Sequence, residues 1–152
     1  MLAVLSALAG DAGAAPDAAQ ATYDALGHVE RHVVDKTFDD VIFELDFAIT
    51  ERNFRITGRN TIGAGLRKRG YSDFPDVEVI HFCSLELARE VLLLDPGFVA
   101  QMPCRVTVHV AGGKTVVSLI TLPTDHPDAR VRAFAERMNA SLREIVAFAI
   151  AP

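Results

Sequence analysis

Cys104-Arg105-Val106-Thr107-Val108-His109-Val110-Ala111-Gly112-Gly113-Lys114-Thr115-Val116-Val117-Ser118-Leu119-Ile120-Thr121-Leu122 decides the fold class. Two β-branched runs flank a Gly-Gly pair, the composition of a two-residue hairpin whose type I′ turn needs positive φ at both positions. The spacing predicts strands over 104–111 and 114–122. Val108 then pairs with Val117 and Val106 with Leu119 on one face, leaving Arg105, Thr107 and His109 on the other. One apolar face demands a helical layer, and the rest of the chain supplies helices.

Downstream, Val131, Phe134, Ala135, Met138, Leu142, Ile145 and Val146 recur at helical spacing, with Pro127 read into the first turn of that helix. Upstream, Val77 to Cys83 reads as a strand. Ser84 is an N-cap candidate for a helix to about Leu94, with Glu86 in its first turn, and Asp95-Pro96-Gly97 stops it. Further back, residues 60 to 69 predict a short helix ended by Gly70, although Gly63 and Gly65 oppose it. Phe54 to Thr57 reads as a short strand. Thr37, with Asp40 three residues later, caps a helix carrying Phe38, Val41, Ile42, Leu45, Ala48 and Ile49 up to Arg52. Phe43 and Phe47 add a second apolar stripe on it, which is either extra core or a subunit contact. His28 to Val34 alternates as a strand.

The expected class is α+β: a mainly antiparallel sheet with helices packed on one face, in the order β-α-β-(α)-β-α-β-β-α. The domain spans 27–150. Residues 1–26 form an Ala-rich leader in which Met1 to Gly10 is apolar and Ala12-Gly13-Ala14 looks like a signal-peptidase site. The first basic residue is Arg31, so the n-region of a secretory signal is missing. A cytoplasmic location is favoured, with export through a truncated signal as the alternative.

The chain has 152 residues, half of them hydrophobic, and a net charge of −5. That size buries a core without disulfide or metal. The acidic balance disfavours nucleic acid as a partner, and Arg67-Lys68-Arg69 reads as a solvated helix end. No apolar run reaches the ~18 to 20 residues of a membrane-spanning helix.

The stretch from Thr37 to Val110 resembles the domain-of-unknown-function 302 family. The matching pieces are Thr37-Phe38-Asp39-Asp40, Lys68-Arg69-Gly70-Tyr71 with Phe74-Pro75, Cys83 leading to Glu86-Leu87-Ala88, and Asp95-Pro96 with Pro103-Cys104. Ser84-Leu85 departs from the Asn-Pro of the family pattern, and Met102 from its leucine. The resemblance covers roughly residues 28 to 148. It implies a small α+β fold and a homodimer, and no established reaction.

Two cysteines lead the search for chemistry. A helix N-terminus after Cys83 would lower its thiol pKa. Cys104 starts another strand, so adjacent strand ends would make a redox pair or a soft-metal site of the two. Twenty intervening residues match no redox or zinc motif, and buried cysteine is ordinary core. His81 shares a strand face with Cys83, as a metal ligand or a hydrogen-bonded histidine. His28 and His32 share a face with Glu30. With His109 on a neighbouring strand they would form a three-imidazole metal site; otherwise they belong to a solvated face. No phosphate loop, nucleophile elbow or His-Glu-x-x-His helix is present.

The leading expectation is a homodimer without established catalysis that binds a small ligand, a metal ion or haem, near His81, Cys83 or Cys104. The alternatives are a thiol-redox protein using Cys83 and Cys104, and a structural or interaction module.

Overall fold

The computed structural model describes residues 28–152. The leader assigned to 1–26 lies outside them. Five strands form one antiparallel sheet in the order β1-β5-β4-β3-β2: β1 Val29–Val34, β2 Arg55–Asn60, β3 Val77–Cys83, β4 Cys104–Ala111 and β5 Lys114–Ile120. The helices are α1 Phe38–Glu51, α2 Ile62–Arg67, α3 Leu85–Leu94 and α4 Ala129–Ile150, with a 3-10 helix at Pro96–Gln101. The α+β class and the element order agree with the reading of the sequence.

The β4–β5 hairpin has the expected register, Val108 opposite Val117 and Val106 opposite Leu119. Gly112 and Gly113 take φ of 58° and 76°, values that any Cβ would oppose. β5 stops at Ile120 rather than Leu122. There the backbone N–H and C=O of Leu122 leave the ladder and bind the Asn139 side chain on α4, at 2.8 and 2.9 Å. Pro127 precedes the α4 N-cap instead of occupying its first turn. Asp128 is that cap, its side chain accepting from the Arg130 N–H.

Ile80 and Phe82 of β3, Val106 and Val108 of β4, and Val117 and Leu119 of β5 meet α1, α3 and α4 in one core. The opposite face carries Arg31, His81, Arg105 and His109, with Val116 buried among its strand neighbours and outside that core. Thr37 caps α1 as predicted, accepting from the Asp40 N–H at 3.2 Å. Arg59 of β2 binds Glu78 of β3 and Asp46 of α1, which neutralises a Glu78 carboxylate on a residue only 7% exposed. Arg59 extends β2 past the predicted Thr57, because the strand reaches Asn60 after a bulge between Ile56 and Gly58.

Candidate functional site

β3 ends at Cys83 and β4 begins at Cys104, and the two strands are neighbours. Phe82 pairs with Cys104, so the cysteines stand one step apart in register at the same sheet end. Both are free thiols, half-buried. They line one apolar cavity together with Phe54, Phe98, Met102 and Met138, roofed by α3 and α4. About 20 Å³ of it is open to the centres of water-sized atoms, room for one or two of them. A second, more polar groove adjoins it through Gln101, Met102, Cys104 and Leu122, and Arg105 and Thr121 line its far side.

Burial raises the Cys83 thiol pKa rather than lowering it. Ser84 stands between Cys83 and α3, and the Cys83 S–H points at the Ser84 carbonyl, 3.7 Å away, so the sulfur faces an acceptor and not the helix amides. The Ser84 hydroxyl makes no capping bond and turns to Glu86 at 3.3 Å. Burial pushes Cys104 up to about 11, with the charge of a Cys83 thiolate a second cause. Both thiols are therefore protonated near neutral pH.

His81 does not join this cavity. Its neighbours Ile80 and Phe82 face the helices, so His81 faces the other way, beside Arg105 and within 3.4 Å of the Asn60 amide nitrogen. The three-imidazole site does not form. β5 lies between β1 and β4, and His32 pairs with Val117 on the helix side while His109 lies on the open side. His28 precedes β1, exposed, and serves through its carbonyl, which accepts from Thr121. Among the described residues, no three His, Cys, Asp or Glu side chains gather into a metal-holding group.

Sequence reasoning misses Met102 and Met138 as lining residues. Met138 carries only a helical-stripe signal, and Met102 stands out only as a departure from leucine. No local pattern links them to the cysteines, because the elements that carry them meet only in the tertiary structure.

No curated protein matches the chain. The fold is similar to the crystal structure of an uncharacterized conserved DUF302 protein from Bacillus stearothermophilus. The two share 16% identity and a TM-score of 0.71, over 80% of this chain and 98% of that one. The family model described as "Domain of unknown function DUF302" matches residues 30–149. With nearly all of the described domain inside that match, the chain belongs to the domain-of-unknown-function 302 family.

Proposed function

We propose that the protein is a self-associating small-ligand-binding module whose ligand sits in the cavity between Cys83 and Cys104. One observation carries the reading: two cysteines with twenty residues between them in sequence line a single apolar cavity at the end of the sheet. The cavity's size favours a bare ion or a group of a few atoms. A haem macrocycle would have to displace Phe98, Phe134 and Leu87, and His81 is turned away from any axial role.

The thiol-redox reading draws support from the one-step offset of the cysteines on paired strands, a separation compatible with the ~7 Å Cα limit of a disulfide. The raised thiol pKa values oppose it, since the thiolate is the reactive form. Elemental analysis, native mass spectrometry and a thermal-shift screen of metal ions and small molecules test the ligand reading. A ligand should add mass or raise the melting temperature in the wild type and lose that effect in Cys104→Leu. A wild-type chain of bare mass, with no shift from any of them, would remove the reading.

A further inference from the structure

Every sulfur-bearing side chain of the described residues lines the same cavity. Cys83 comes from the end of β3, Cys104 from the start of β4, Met102 from the segment before it, and Met138 from α4. Four segments of chain thus place all the described sulfur-bearing residues around a space that admits one or two water-sized atoms. Apolar packing alone does not ask for this, because leucine or valine fills such positions equally well.

The surroundings narrow the ligand class. Thioethers are soft, uncharged donors that suit Cu(I), whereas Zn(II) takes thiolate, imidazole or carboxylate ligands rather than thioethers. Among the described residues, no imidazole or carboxylate lines the cavity, and Ser84 and Gln101 are its polar side chains. The low polarity penalises net charge. A monovalent ion on one thiolate is neutral, whereas a divalent ion would need both thiols ionised to reach neutrality.

On the reading that the Cys83–Cys104 cavity holds a ligand, we propose that the ligand is a soft monovalent metal ion of the Cu(I) class, bound by thiolate sulfur from Cys83 or Cys104 and thioether sulfur from Met102 and Met138. Binding forms a metal–sulfur bond in place of an S–H bond. The proton leaves to solvent, and no electron is transferred.

The test is an anaerobic Cu(I) titration of the full chain against a chromophoric Cu(I) chelator, with Ag(I) as the redox-inert analogue and Zn(II) as the counter-probe. One Cu(I) per chain is expected, with release of one proton, preference over Zn(II), and sulfur-only ligation by X-ray absorption. Cys83→Ser/Cys104→Ser, which removes both candidate thiolates, should abolish the site. Met102→Leu and Met138→Leu conserve volume and should leave the melting temperature nearly unchanged while weakening Cu(I) by about tenfold or more each. Unchanged Cu(I) affinity in both methionine variants, or a preference for Zn(II), overturns this assignment while leaving the cavity a ligand site. Absence of Cu(I) binding overturns it too. In that case an adduct or thermal shift lost in Cys104→Leu keeps the broader reading, and the lack of any such signal removes both.

Discussion

Cys104 sits where a strand begins under a helical roof, and its environment sets its chemistry. Its thiol pKa, pushed up to about 11 from an ordinary 9.0 by burial, means that folding favours the protonated form. Its contribution to stability is therefore fully present below pH 9 and is lost as pH rises through about 11. A rise of about two units corresponds to at most ~3 kcal/mol. Chemical denaturation at pH 8 and above pH 11 should show that loss in the wild type and not in Cys104→Ala. Parallel curves for the two proteins would contradict the buried thiol. Asn139 is the second residue whose position matters more than its type. It lies in the apolar stripe of α4, only 3% exposed, and both ends of its amide satisfy the backbone of Leu122. Asn139→Leu leaves two buried backbone groups without partners and should cost about 2–4 kcal/mol in urea unfolding. A change under about 0.5 kcal/mol would show that water reaches Leu122.

Among the elements, α2 separates two glycines that look alike in sequence. A Cβ on Gly63 would stand 2.4 Å from the Pro75 carbonyl oxygen and 2.8 Å from the Val77 nitrogen, so the glycine lets α2 lie against the backbone entering β3. A Cβ on Gly65 would meet nothing within 4 Å. Gly65→Ala should stabilise by up to ~1 kcal/mol through helix propensity. Gly63→Ala should destabilise, because rigid backbone must move. Thermal unfolding of the two variants reads both signs, and a stabilised Gly63→Ala would refute the close approach. Helix propensity treats both positions as defects, and only the packing of α2 on β3 tells them apart. The hairpin is the opposite case, since Gly112-Gly113 and the valines around it carry the register in local chemistry.

Across the described domain, the open sheet face gathers basic side chains. Arg31, His81, Arg105 and His109 share the open sheet face, the Arg31 Nε is buried without a hydrogen-bond partner among the described residues, and burial together with the Arg31 charge lowers the His109 pKa. A two-fold contact through that face would set Arg31 and Arg105 against their own copies, which costs affinity. The helical side offers an apolar alternative. Phe43 and Phe47 of α1 are 73% and 48% exposed, and Phe47 stacks on the exposed Phe148 of α4 at 5.5 Å. The proposed self-association should therefore run through these rings. Light scattering after size exclusion is expected to give a dimer for the wild type and a monomer for Phe43→Ser/Phe47→Ser. A wild-type monomer would remove self-association, and a dimeric double variant would move it to another surface.

The sequence by itself determined the α+β class, the order of elements, the hairpin register and the Thr37 cap, because each rests on neighbours within a few residues: period-2 or helical apolar spacing, a Gly-Gly turn, a hydroxyl three residues from its amide. Cys83, Cys104 and His81 stand out in the sequence as candidates without a geometry. Tertiary structure alone decided that Cys104 and Cys83 share a cavity while His81 faces away, that His28, His32 and His109 stay apart, and that Met102 and Met138 stand beside the thiols. The physical reason is that strand order and helix docking bring together residues that have no sequence proximity. A β5 strand inserted between β1 and β4 is invisible to local periodicity, yet it separates the three histidines and leaves the two cysteines together at the end of β3 and β4.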